Sequence, residues 1–573
     1  MDSAGHTTLY VVPERLPGRP HHQPPPHGAL KAMPIFLRLG CFALLPAMGM
    51  LSSCSPKREI AGPSGPPPPI QIEIVEGSRR IDVYWMEPPS WCDTTNWFFE
   101  VQTRRGADDE FITAHEGIVG LTGFSDLKAE PGEARDYRVR TVALDHTGGI
   151  AASSPWTKTV TGKARPLQPE HLVEEIQHAS FRYFWNYAHP VSGLPREGAG
   201  GWTRNLCSIA ASGMMFFNIA VGIERDWITR KQGLARVDKA LTFLLEKADR
   251  YYGVFPHWID GNTGKTIPFS GKDDGADLVE SSFLVYGALF FREYIKNDSS
   301  ETAASIRKKI NAMWEGIQWT WFVKNRPDGR KPLLWHWSPN HGFAINLEIV
   351  GFNECQVTYL LALASPTHPI TPESYFRGWL EAGYGHKRQQ YDVTLELGRE
   401  PYGPPLFFTH YSYMGIHPSN FVYGTKNYFQ HFEDFCHVQI LWAAEHRKEL
   451  RGRGIWGLTA SLEPGGYGAH YPGHDNGTIT PTAILASMPY APEAAQTGLE
   501  QMYEHYRKDL WGPFGFYDAM NPGRNWFSRQ YIAIDVGPIA PMIENYRTGL
   551  GWRTFEHAPE LKRALEIVNQ GES

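Results

Sequence analysis

The chain has 573 residues, with 55 Lys and Arg against 61 Asp and Glu, and a formal net charge of −6. At 42% apolar and 20% charged residues it is a folding chain, not a disordered one. Mild acidity without a basic stripe argues against nucleic-acid partners, and no heptad or short repeat supports a coiled coil or solenoid. The 19 Trp, 26 Tyr and 30 Phe stand out. Much of that ring content belongs in a core, but it also suits a surface that stacks on sugars. Six cysteines without a CxxC pair exclude a disulfide framework and a zinc or redox site. Cys92, Cys207, Cys355 and Cys436 read as small buried hydrophobes.

Residues 1–32 are rich in Pro and His and lack apolar periodicity, as a disordered leader or a misplaced start before Met33 would. Lys31 and Arg38 then flank the apolar stretch Leu39–Met50, the pattern of a signal peptide. It ends in Leu51-Ser52-Ser53-Cys54, which resembles a bacterial lipobox with Cys54 as the lipidated residue. The run is too short for a membrane span and contains Pro46. Residues 1–54 are therefore expected to be leader and lipoprotein signal, anchoring the protein to the bacterial cell envelope. Residues 55–69, with four prolines from Pro66, form a stiff tether.

From 70 to 163 short alternating runs are separated by turn residues, which predicts an antiparallel sandwich. The runs include Ile70–Ile74, Ile81–Trp85, Trp97–Thr103 and Tyr137–Val142. Trp85 and Tyr137 resemble the core Trp and tyrosine corner of fibronectin type III domains. No catalytic constellation lies here, so this segment reads as a spacer or glycan-presenting module.

Across 167–570 the period changes to about 3.6. Leu172, Ile176, Ala179 and Tyr183 share one helix face, and Leu234, Val237, Leu241 and Leu244 another. Further helices are predicted at 205–224, 277–295, 302–323, 352–364, 372–381, 424–448, 481–488, 491–509, 537–549 and 557–569. About twelve helices with long Gly-, Pro- and Trp-rich connections at 251–276, 325–351, 383–423 and 452–480 predict a mainly α domain, an α/α barrel. Loops of that length carry function.

Asp273, Asp277 and Glu280 follow i, i+4, i+7 spacing, which predicts one face at a helix N-terminus. Capping explains one such acid; four acids within eight residues would repel unless they hold a cation, a water network or sugar hydroxyls. Glu354 is a lone acid in an apolar stretch near Trp335, His336 and Trp337, where burial raises a carboxyl pKa toward that of a general acid. Tyr411, Trp456 and the run His470–Gly477 are further candidates. Pro472-Gly473 between His470 and His474-Asp475 breaks the helical spacing of a metal motif, so no metal or other cofactor is expected. Asp535 stands between apolar residues before a Pro-started helix, as a cap or facing a cleft.

Several blocks resemble the glycoamylase-like domain of bacterial carbohydrate-active proteins. They are Gly275–Glu280, Trp335–Asn340, Gly351–Cys355, Pro405–Ser412, Asp475–Thr478 and Ile543–Leu550. Within that group the chain is similar to glycoside hydrolase family 144. The resemblance implies an (α/α)6 barrel and an inverting hydrolase releasing short β-1,2-linked gluco-oligosaccharides such as sophorose. It implies Glu354, in Asn353-Glu354-Cys355, as the acid and Asp535 as the base, with Asp277 in reserve. Asp273, Glu280, Trp335, His336, Trp337, Asn353, Tyr411, Trp456, His474 and Asp475 are then expected to bind substrate. Two other classes compete: a non-catalytic glycan-binding lipoprotein, which would need neither Glu354 nor Asp535, and a hydrolase of another glucan linkage. A lyase acting on an acidic polymer conflicts with an acid-rich cleft, and a phosphorylase lacks its basic pocket.

Overall fold

The computed structural model describes residues 65–91, 97–115, 118–199, 203–382, 384–450 and 453–570. The expected leader, the lipobox with Cys54 and most of the tether lie outside these residues. Eight strands come first: β1 (Ile70–Gly77), β2 (Arg80–Met86), β3 (Trp97–Arg104), β4 (Ile112–Thr113), β5 (Gly123–Asp126), β6 (Ala134–Leu144), β7 (Ile150–Ser153) and β8 (Val160–Lys163). They form a β1-β2-β5 sheet and a second sheet, β4-β3-β6-β7, with β8 also paired to β6. Every pair is antiparallel. Period-two burial along β6 turns Tyr137 and Val139 into a core that also holds Ile81, Val83, Trp85, Phe99 and Val101. Trp85 meets Phe99 edge-on at 5.1 Å, and the Tyr137 hydroxyl donates to Asp126 at 2.7 Å.

The helices are α1 (Pro169–Asn186), α2 (Ile209–Glu224), α3 (Arg230–Glu246), α4 (Leu278–Tyr294), α5 (Glu301–Glu315), α6 (Gln356–Ala364), α7 (Tyr428–His446), α8 (Pro481–Leu485), α9 (Pro492–Leu510), α10 (Ala533–Val536), α11 (Ile539–Thr548), α12 (Leu550–Phe555) and α13 (Pro559–Gln570). Helices α2, α4 and α6 are buried almost all round, whereas α3, α5, α9 and α13 bury one face. Entirely buried helices thus alternate with one-faced ones. Helix α1 packs on both α2 and α11, so the two ends of the helical region meet.

Boundaries moved where caps or backbone geometry override periodicity. The segment 302–323 is a helix only to Glu315, followed by a separate 3-10 turn, Trp319–Phe322. The 372–381 helix is a short π-helix, Ser374–Trp379. Helix α7 begins at Tyr428 because the Asn427 side chain caps it with Gln430 as a reciprocal pair. The long loops contain paired two- and three-residue strands. Cys207, Cys355 and Cys436 are free and buried, as expected.

The β-rich part is tied to the helices by buried charge. Arg80, 1% exposed, donates to Asp82 at 2.9 Å, to Glu175 of α1 and to Tyr503 of α9 at 2.8 Å, and lies over the Trp511 ring at 4.1 Å. Glu175 also accepts from Ser78 and Arg165. Removing one member of a buried ionic network strands its partners, at a cost of ~3–5 kcal/mol. Arg80→Ala is therefore expected to lower the denaturation midpoint by a change of that size. A variant within 1 kcal/mol of the native chain would contradict the account.

Candidate active site

The first half of the site is assembled by backbone proximity. Helices α2 and α4 cross where Gly213 and Gly287 face each other; a Cβ on Gly287 would sit 1.9 Å from the Gly213 carbonyl oxygen. That contact brings the two helix N-termini together, and Glu280 accepts the Ala210 amide at 2.7 Å. Asp277 caps α4 through Oδ1, which accepts the Glu280 amide at 3.0 Å. Its Oδ2 is free to face 2.9 Å toward His257 Nδ1 and 3.5 Å toward His336 Nε2. The strands Ala276–Asp277 and His336–Trp337 set this register, with Asp277 opposite His336. Gly275 permits their approach, since a Cβ there would meet the Trp337 carbonyl oxygen at 2.4 Å. Asp273 Oδ2 lies 3.2 Å from His336 Nε2.

Asp277 thus both caps a helix and faces two histidines. The predicted helical face is corrected: Asp273 precedes α4 in a turn bridged to Ser270, so loop folding unites the acids. The fourth acid, Asp274, turns away to accept from Ser338 and from Asn340 at 2.6 Å. Two histidines, His257 and His336, face these acids and offset their repulsion. Burial pulls the His257 pKa down, but Glu280, Asp277 and Asp273 outweigh it and raise it to about 10. His257 is then an imidazolium at neutrality. Burial opposes ionisation of Asp277 too, yet hydrogen bonds from His257 and His336 hold its pKa well below the usual range. Burial raises Glu280 to about 8 and also raises Asp273. The Asp277 carboxylate and the His257 imidazolium therefore sit beside two acids, Asp273 and Glu280, whose protonation burial favours.

Two trios, His257–Asp277–Glu280 and Asp273–Asp277–His336, bring possible ligand atoms within 4.8 Å of one another. As an imidazolium, His257 donates to Asp277 within the first trio.

The second half surrounds Asp535, on α10. Its Oδ1 accepts from the hydroxyls of Tyr467 at 3.0 Å and Tyr411 at 3.4 Å. Burial first, then Asp518, raises the Asp535 pKa well above the carboxylate range. Glu354 precedes α6, in a turn where Ser412 donates to its carbonyl oxygen. Burial pushes the Glu354 carboxyl up to about 7, which contacts from its own backbone and Cys355 only partly oppose. Tyr411 lies near enough to both Asp535 and Glu354 for their charges to raise its phenol pKa. Asn353, 2% exposed, accepts the Cys355 amide at 2.9 Å. Its Nδ2 has no protein partner among the described residues, which leaves a donor for a sugar hydroxyl.

Other predicted ligands are placed elsewhere. Trp456, 2% exposed, donates to the Ala494 carbonyl and belongs to the core, not to a stacking platform. Trp335 is buried against His336. Trp337 points to the opposite side of its strand and packs edge-on against Tyr252 at 5.0 Å. Asp475 is engaged by Arg447 and the Gly477 amide, and His474 is exposed on the same turn. Periodicity cannot separate a cleft tryptophan from a core one, because both need apolar surroundings.

Four groups escaped the sequence reading: Glu197, His257, Tyr467 and Asp518. Glu197 is raised to about 7 by burial, and its backbone accepts the Ala533 amide at 2.8 Å, setting the approach to α10. Glu197, His257 and Asp518 are single polar residues in irregular loops and Tyr467 sits in a four-residue strand, so no spacing rule applies to them. The only available signal was an acid or His within an aromatic run, as in Phe255-Pro256-His257-Trp258 and Phe516-Tyr517-Asp518.

The glycoamylase family model, described as "Putative glucoamylase", matches residues 346–559. The exo β-1,2-glucooligosaccharide sophorohydrolase (non-reducing end) of Parabacteroides distasonis is 37% identical over 523 residues, 87% of this chain and 70% of the relative. The crystal structure of a β-1,2-glucanase from Parabacteroides distasonis superposes with a TM-score of 0.80 at 34% identity, covering 88% of this chain and 74% of that one. An endo-β-1,2-glucanase from Chitinophaga pinensis, in complex with sophorotriose and glucose, gives 0.66 at 38% identity over 70% of this chain and 98% of that one. With a curated relative this similar over seven-tenths of its length, the chain belongs to the glycoamylase-like family of glycoside hydrolases.

Proposed function

We propose that the protein is an inverting hydrolase that releases sophorose from the ends of β-1,2-gluco-oligosaccharides, in an (α/α)6 barrel behind a fibronectin III-like sandwich. The observation that carries the reading is half-buried Glu354, its carboxyl raised to about 7, together with buried Asp535 held by the Tyr467 and Tyr411 hydroxyls. Glu354 gives its proton to the glycosidic oxygen as the bond to C1 breaks. Asp535 takes a proton from water attacking the opposite face, so configuration inverts. Tyr411 and Tyr467 orient Asp535, and the Asp273–Asp277–His336 group holds sugar hydroxyls. Action at chain ends is favoured because likeness to the exo-acting relative spans 87% of the chain, well beyond the helical region.

Purified protein incubated with linear β-1,2-, β-1,3- and α-1,4-glucans should yield sophorose from the first alone. A ladder of longer products at early times would move the reading to internal cleavage, and inert β-1,2-glucan would end it. Lipid anchoring at Cys54 belongs to the same proposal. Cys54→Ser should abolish lipid labelling and release soluble enzyme; unchanged membrane retention would exclude the anchor.

A further inference from the structure

Asp535 presents a contradiction that its neighbours resolve. A general base must be ionised, yet Asp535 is 2% exposed and lies against Asp518, itself 5% exposed. Two buried carboxylates in contact do not both ionise. Each has one oxygen already engaged. Asp518 Oδ2 accepts the Leu462 amide at 2.6 Å, and Asp535 Oδ1 accepts from Tyr467 and Tyr411. The remaining oxygens, Asp518 Oδ1 and Asp535 Oδ2, have no other partner among the described residues. Contact between two carboxyl groups is a hydrogen bond only if a proton lies between them.

We infer that Asp518 and Asp535 share one proton, and that Asp518 is the positioning residue that keeps Asp535 ready as the base. This inference rests on the function proposed above. The pair carries a single negative charge. When water attacks, its proton goes to Asp535 while the bridging proton stays on Asp518, and the pair ends neutral. The arrangement is built by one hairpin. In the strands Ala460–Glu463 and Gly466–Ala469, Leu462 is paired with Tyr467; Leu462 holds Asp518 and Tyr467 holds Asp535. The Thr482 hydroxyl fixes the Asp535 carbonyl from α8. Titratable groups facing the pair are Tyr467, Tyr411 and Glu197, with Glu354 beyond Tyr411. Burial raises both carboxyls, and each is the other's hydrogen-bond partner, so the two titrate as one pair.

The pH profile of kcat/KM should distinguish this role from a structural one. The acidic limb reports the second proton, which neutralises the pair. Asp518→Ala removes the donor to Asp535, so the limb should move up by about one pH unit and kcat/KM at pH 7 should fall more than tenfold. Asp518→Asn keeps an acceptor for Leu462 and an N–H for Asp535 Oδ2. It should recover activity to within tenfold of the native enzyme. A loss beyond tenfold in Asp518→Asn at unchanged Tm would overturn the shared proton, and so would an acidic limb identical in all three proteins. Should Asp518→Ala not fold, the Asn variant alone decides. Asp535→Asn, measured beside them, separates the two readings: if it stays active, the base assignment itself is wrong. If it is inactive while the Asp518 variants behave as the native enzyme, only the shared proton fails.

Discussion

Glu354→Gln is expected to lose about 10²–10⁴-fold in turnover of β-1,2-gluco-oligosaccharides while still binding them, the usual contribution of a positioned general acid. The substitution keeps shape and removes the proton. With an aryl β-sophoroside, whose leaving group departs without protonation, the loss should shrink. The pH dependence has a definite sign. Burial raises Glu354 to about 7, and the acid acts only when protonated. Native kcat/KM should therefore fall as pH rises through about 7, and this limb should vanish in Glu354→Gln on the aryl substrate. Full activity of the variant on oligosaccharide would exclude Glu354 as the acid.

The second large effect is at the base. Asp535→Asn should lose activity by a comparable factor with little change in Tm, since the amide still accepts from Tyr467 and Tyr411. Product NMR of the native enzyme should show the α-anomer first, the inverted configuration for a β-linkage. Asp277, the reserve candidate, is distinguishable because it also caps α4 and pairs with two histidines. Asp277→Asn is expected to lower both Tm and turnover. If Asp535→Asn were active and Asp277→Asn dead, the base would be Asp277.

Much of this protein was legible in the sequence wherever the physics is local. The change from period two near residue 163 to period 3.6 after 169 separates strands from helices, because each periodicity reports which side of an element meets the core. Long faces such as Leu172–Tyr183 and Leu234–Leu244 predicted α1 and α3. Glu354 stood out because one acid in an apolar run must be desolvated, and burial does raise its pKa. Trp456, expected at the substrate, lies in the core, because an apolar neighbourhood reveals burial and not which side of the buried wall a ring occupies.

Tertiary structure alone decided the rest. No spacing rule links His257 and His336 to Asp277, yet their imidazoles set its charge through contacts across 20 and 59 residues of chain. Nothing in Phe516-Tyr517-Asp518 announces that its acid meets Asp535, since that contact exists only after the hairpin carrying Leu462 and Tyr467 has packed on both. Sequence determined which apolar faces are buried, because the burial of a regular element follows from its periodicity. Fold determined the protonation of the buried acids, because a carboxyl's charge depends on what lies within a few ångströms in space, however distant along the chain.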